Sequence, residues 1–191
     1  MKLAFLLLAV APAAAAQVRV EQRLLVKEQH LFVSGGFTWF ARGDYYNSPG
    51  AVLTAAWYPK EDDALELRAA AFAAFLNETA NTVFQGTGFV PDAHKPSALL
   101  MLGWRHSLTC GKVALGSSVV HFDLQSGVHG GLLKTDRSLE PALSLSMGLL
   151  ARISSRFYGQ FELALVGSRE ARSSTVLAAG VLPMLTVGFS L

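Results

Sequence analysis

The chain has 191 residues, of which 51% are hydrophobic and 16% charged, with a formal net charge of +2. Such a near-neutral balance leaves no electrostatic footprint for nucleic acid, and the lone cysteine, Cys110, excludes an internal disulfide framework. Past the N-terminus there is no uninterrupted apolar stretch of ~20 residues, which excludes ordinary helical membrane spans.

Residues 1–16 read as a signal peptide. Lys2 supplies the positive n-region, Leu3 to Val10 form an apolar run, Pro12 breaks it, and Ala14-Ala15-Ala16 fits the small-residue cleavage rule. The run is too short to span a bilayer; an uncleaved anchor is the alternative. No cysteine follows the cleavage site, so a lipid-anchored lipoprotein is not expected. The mature chain of about 175 residues suits one domain.

Residues 17–29 form a periplasmic N-terminal segment in which Arg19, Arg23 and Lys27 mix with Val18, Val20, Leu24 and Leu25. Such an amphipathic piece either docks a periplasmic protein or packs under the mouth of a barrel.

Residues 30–191 divide into eight runs: Leu31–Arg42, Ala51–Tyr58, Ala64–Leu76, Ser97–Leu108, Val119–Leu133, Leu139–Ile153, Phe157–Gly167 and Thr175–Leu191. Each reaches or approaches the ~9–11 residues with which a tilted strand crosses a bilayer. Ala69–Ala74 reads as helix by propensity, but Leu65-Glu66-Leu67-Arg68 alternate cleanly and favour a strand. The compact connections Pro59–Asp63, Cys110-Gly-Lys112 and Ser154–Arg156 fall on one side. Gly43–Gly50, Asn77–Pro96, Lys134–Ser138 and Ser168–Ser174 fall on the other, and Asn77–Pro96 is much the longest. Short periplasmic turns with longer extracellular loops are the habit of outer-membrane barrels. Both termini are therefore expected in the periplasm, and Gly86 and His94 on the surface loop.

Strand faces give the same reading. The closing run sets Leu185, Val187, Phe189 and Leu191 on one face and Thr186, Gly188 and Ser190 on the other. Trp39 and Phe75 fall near one rim, and Trp57, Trp104, Phe157 and Phe189 near the other, as two aromatic girdles. A soluble β-sandwich is the competing fold, but it would leave one face of each sheet wet. Glu66, Arg68, Arg105, Asp123, Arg152 and Glu162 share the inward face with small or polar neighbours. An eight-stranded barrel is just wide enough for side chains to fill, so a paired charge network in the lumen is expected ahead of a conducting pore. Pro183 interrupts the last run and predicts a bulge or an early end of regular pairing. Val113–Ser118 is ambiguous between strand and a piece at the mouth.

No catalytic set emerges. His106 and Ser107 are adjacent on a strand and point to opposite faces, so a triad with His121 and Glu162 fails on geometry. Asp92 and His94 offer only two metal ligands, too few for a site. Cys110, beside Lys112, reads as an inert thiol rather than a reactive one. No phosphate loop or nucleophile elbow is present. The expectation is no enzyme, no cofactor and no metal.

Three stretches carry a family resemblance. They are Gln22–His30, Ala51–Leu67 with its acidic turn and Ala-Leu-Glu-Leu-Arg, and Gly111-Lys112 followed by Val120-His-Phe-Asp123, Gly127 and Gly130. With them the mature chain resembles the outer-membrane β-barrel domain family common in myxobacteria. It departs from the usual barrel ending, since Leu191 rather than an aromatic is last. The resemblance implies an outer-membrane part of an envelope-spanning complex, including the gliding-motility apparatus. Its contacts would be outer-membrane lipid and lipopolysaccharide, together with periplasmic or outer-membrane protein partners, with Arg19, Arg23, Lys27, Gly86 and His94 as partner-facing positions. A narrow channel for ions or small solutes and a lipid-modifying enzyme are the competing functions.

Overall fold

The computed structural model of the protein describes residues 26–43, 45–89, 92–115, 118–154, 156–171 and 174–191. The expected signal peptide, and Arg19 and Arg23 of the N-terminal segment, lie outside the described residues.

Period-two alternation builds the molecule. β7 (Leu139–Arg152) is the plainest case: exposed and buried residues alternate along nearly its whole length. The other elements, in chain order, are β1 (Leu31–Ala41), β2 (Tyr46–Lys60), β3 (Asp63–Phe72), a two-residue β4 (Phe75–Leu76), helix α1 (Glu78–Thr87), β5 (Pro96–Leu115), β6 (Ser118–Thr135), β8 (Phe157–Ala171) and β9 (Thr175–Ser190). β4 pairs with the start of β2, which leaves eight wall strands. Each is antiparallel to its sequence neighbour, and β9 pairs back onto β1. The sheet thus closes on itself as an eight-stranded antiparallel barrel, and closure removes the unpaired edges an open sheet would expose. Among the described residues no helix is long and apolar enough to cross a membrane.

Closure fixes the stagger. The ladder that starts at Leu31 runs through Trp57, Leu65, Trp104, Val128, Leu145, Leu165 and Val181, and returns to β1 at Ala41. The shear is therefore ten residues, which tilts the strands by roughly 35–45° to the barrel axis. At one end the start of β1 meets the last residue, Leu191: Leu31 N donates to Leu191 O at 3.1 Å and Leu191 N to Leu31 O at 2.8 Å. This terminal end also carries the short β2–β3 and β7–β8 turns. The β5–β6 connection lies at this same end, and the opposite, loop end carries α1 and the β1–β2, β6–β7 and β8–β9 connections.

Three sequence expectations are corrected. The first concerns Cys110-Gly111-Lys112, which is not a turn. Those residues lie inside β5, paired with Asp123, Phe122 and His121. β3 accompanies β5 only as far as His106, and β7 joins β6 only from Phe122, so the tip of the β5–β6 hairpin projects beyond the wall. The register shifts between Ser107 and Thr109, where the hairpin leaves the barrel. Gly111 belongs to this arm for a steric reason: a Cβ there would stand 2.5 Å from the Phe122 ring. Val113–Leu115 continue β5.

The second concerns the loop Asn77–Pro96, which contains α1. The Asn77 side chain caps the helix by accepting from Ala80 N at 2.8 Å, and Gly88 ends it at φ 72°. The third concerns Pro183, where no bulge forms. β9 keeps its register on β8 through Leu163↔Pro183. Toward β1 the ladder skips from Thr38↔Met184 to Ala41↔Val181 with the register unchanged. Proline has no N–H to give that ladder; Thr38 Oγ1 donates instead to Pro183 O at 3.0 Å.

The outer surface is an apolar belt. Phe37, Leu53, Leu67, Leu102, Val128, Leu143, Leu165 and Leu185 are all exposed. Trp39 and Phe75 stand on it toward the loop end, and Trp57, Trp104, Phe157 and Phe189 toward the terminal end. Exposed apolar area of this extent is untenable in water and suited to lipid.

Candidate functional site: a charged lumen with two closures

The inward-facing side chains meet in the middle of the barrel as a ring of two acids and two bases. Glu66 and Arg68 come from β3, Arg105 from β5 and Glu162 from β8, and all four are buried. Arg68 Nη2 reaches Glu66 Oε1 at 3.1 Å and also pairs with Glu162 Oε1. Arg105 Nη2 completes the circuit, at 2.6 Å from Glu66 Oε2 and 2.8 Å from Glu162 Oε2. Each carboxylate thus touches both guanidiniums, and the ring is electrically neutral. Gln160 Nε2 donates to Glu162 Oε2 at 2.8 Å, Arg105 Nη1 donates to Gln160 Oε1 at 3.1 Å, and His129 Nε2 lies 3.2 Å from Glu66 Oε2. Charges taken from water are tolerable only when paired and hydrogen-bonded in this way.

Apolar clusters close the lumen on either side. Toward the terminal end Phe32, Ala56, Tyr58, Ala64, Leu150 and Tyr158 pack together; the Phe32 ring lies 5.1 Å from those of both Tyr58 and Tyr158. Toward the loop end the cluster includes Phe40, Val52, Leu99, Met101, Leu133, Val166 and Leu182. Sequence reasoning missed this second cluster. It attended to polar inward residues, although the same parity places these apolar ones inside.

Of the six expected network residues, four form the ring. Asp123 belongs to a separate group nearer the terminal end. Its Oδ2 accepts from Lys27 Nζ at 2.6 Å, from Ser107 Oγ at 2.8 Å and from Gln125 Nε2 at 2.8 Å. Gln125 Nε2 also donates to Tyr58 Oη at 3.0 Å, linking this group to the aromatic closure. Arg152 is half-buried at the end of β7, where its Nε donates to Ser154 O at 2.8 Å.

The positions expected to face partners divide similarly. Gly86 is exposed on α1. Lys27 is only 4% exposed. It enters the terminal mouth, with its Nζ 5.3 Å from the centre of the Tyr58 ring, which fits a segment packed under the barrel mouth and not a partner-facing cation. His94 is also buried, beside Glu140 on β7, which corrects its reading as a surface contact. Asp92, its supposed companion, turns instead to Arg137 at 3.4 Å. His106 and Ser107 separate as expected: His106 Nδ1 lies 2.8 Å from Asp63 Oδ1, while Ser107 reaches Asp123.

No protein-family model and no curated protein matches the chain. Among solved structures, the outer membrane protein OprG of Pseudomonas aeruginosa aligns with a TM-score of 0.50 and 10% identity, covering 89% of this chain and 99% of that one. Ail, the attachment invasion locus protein of Yersinia pestis, aligns at 0.46 and 11% identity, covering 86% and 99%. Neisserial surface protein A aligns at 0.44 and 7% identity, covering 85% and 95%. At these identities the likeness speaks for the fold alone. Closed antiparallel topology, an apolar outer belt and the OprG match together make this chain an outer-membrane-type β-barrel.

Proposed function

We propose that the protein is a non-enzymatic integral barrel of the bacterial outer membrane that anchors or contacts other components of the cell envelope. The lumen carries this reading: a neutral ion ring lies between two apolar closures, where a channel would need a continuous wet path. The surfaces left for partners are outside the lumen. At the loop end α1 and its neighbour expose Val83, Phe84 and Phe89. At the terminal end the projecting β5–β6 hairpin exposes Leu108, Val113 and Val119. Apolar side chains outside the lipid belt are the usual mark of protein contacts. The finer reading, a component of the gliding-motility apparatus, rests on the family resemblance alone.

Planar-bilayer recording of the purified protein tests the first step. The expected trace is silent, and discrete single-channel steps would replace this reading with that of a narrow solute channel. Mass spectrometry of lipid A from cells with and without the protein tests catalysis. Identical lipid A profiles are expected, and a modification that depends on the protein would make it an enzyme.

A further inference from the structure

Sequence alone pairs His94 only with Asp92. The fold pairs it with something better. His94, from the segment between α1 and β5, meets Glu140 from the start of β7 and Glu170 from the end of β8, at the loop end of the lumen. All three are buried, and one ligand atom from each lies within 4.8 Å of the others. We propose that His94, Glu140 and Glu170 form a binding site for a divalent transition-metal cation of the zinc or manganese class.

Three observations carry the proposal. The first is the donor set. One imidazole and two carboxylates suit zinc and its neighbours, whereas magnesium and calcium take oxygen ligands. The second is a buried oxygen. Glu140 Oε1 accepts from His94 Nδ1, from Ser138 Oγ at 2.7 Å and from Thr135 Oγ1 at 3.5 Å. Glu140 Oε2 is equally buried and has no hydrogen-bond partner among the described residues. A buried carboxylate oxygen without a donor is costly, and a cation satisfies it. The third is charge. Arg42 Nη2 lies 2.5 Å from Glu170 Oε1 and offsets one carboxylate. A divalent ion among the three side chains would offset the second.

Ligand atoms at the ~2.1 Å bond lengths of such ions stand roughly 3–4 Å apart. Side-chain rotations that part His94 from Glu140 and keep Glu170 within reach would give that spacing. The ion would bind His94 through a ring nitrogen lone pair. The ion would tie the segment behind α1 to two wall strands across the loop-end mouth.

The test uses the full mature chain, without a histidine tag, with Cys110→Ser to remove the surface thiol. The protein is loaded with zinc chloride or manganese chloride, dialysed, and assayed for bound metal. One ion per chain is expected. X-ray absorption of the zinc-loaded protein should show a single imidazole among oxygen ligands. His94→Ala and the near-isosteric Glu140→Gln should each weaken binding by about tenfold or more, while His106→Ala should leave it unchanged. Heat-modifiable migration reports whether each variant still closes as a barrel. No retained metal, a spectrum without imidazole, or unchanged uptake by correctly folded His94→Ala and Glu140→Gln variants would overturn the proposal.

Discussion

Glu66, Arg68, Arg105 and Glu162 each hold two opposite charges in reach, so removing any one strands its neighbours without water. Arg105→Ala leaves Glu66 and Glu162 sharing Arg68 alone, and should cost about 3–5 kcal/mol if the lumen stays dry. The readout is the temperature at which the folded band is lost on gels. Glu162→Ala should fall in the same range. The double variant should cost less than the two single losses together, because it removes one acid and one base and keeps the ring neutral. Additive losses would mean the pair does not couple. The inward direction of these residues was legible, since Leu65, Leu67, Trp104 and Phe161 alternate with them. Their pairing was not, because it depends on a shear of ten that only the closed ladder reveals. Lys27 was illegible for another reason: it precedes the first strand, so no alternation assigns it a face. Lys27→Met should destabilise the barrel by about 1–3 kcal/mol, and so lower the same midpoint, by leaving Asp123 with neutral donors only. An unchanged midpoint would place the Asp123 group in water.

At the level of elements, periodicity located all eight wall strands but misplaced several ends: β2 begins at Tyr46 inside the expected Gly43–Gly50 connection, β3 stops at Phe72 short of Leu76, and the β5–β6 turn lies beyond Leu115. Cys110-Gly-Lys112 has the composition of a turn, yet cross-strand packing of Phe122 on Gly111 keeps it extended. The helix in the long loop did leave a signal, with Asn77 at its start, Glu78 in its first turn and Gly88 at its end. Gly86 and three threonines diluted its propensity. Asn77→Ala removes the cap and should destabilise α1 by about 1 kcal/mol. Hydrogen exchange should then quicken across residues 78–87 and nowhere in the wall; exchange unchanged in that segment would show that packing, not the cap, holds the helix. The projecting hairpin is separable in the same sense. Of residues 111–115 and 118–122, only Phe122 pairs with a strand outside the hairpin. Replacing residues 111–122 by Asn-Gly, a two-residue hairpin turn, should leave a barrel that still closes and migrates heat-modifiably. Failure to assemble would make the arm part of the folding unit.

For the whole molecule, the two ends carry different chemistry, and we propose from that difference that the loop end faces outward. The terminal end has two tight turns, the projecting β5–β6 hairpin and the pairing of Leu31 with Leu191. The loop end has α1, the buried His94 cluster and the longer connections, which in barrels of this kind face outward. Two thiols, one at each end, make the orientation measurable. Cys110 is exposed on the hairpin beyond the terminal end, and Gly86 is exposed on α1, where an added Cβ meets nothing within 4 Å. In intact cells a membrane-impermeant maleimide should label Gly86→Cys in a Cys110→Ser background and should not label Cys110 in the native sequence. Once the outer membrane is permeabilised, both should react. The opposite pattern would put the chain termini outside the cell, and the hairpin with them. Equal labelling of both thiols in intact cells would mean that the barrel is not spanning a sealed membrane at all, and the belt of leucines, valines and phenylalanines would then need a protein surface rather than lipid to cover it.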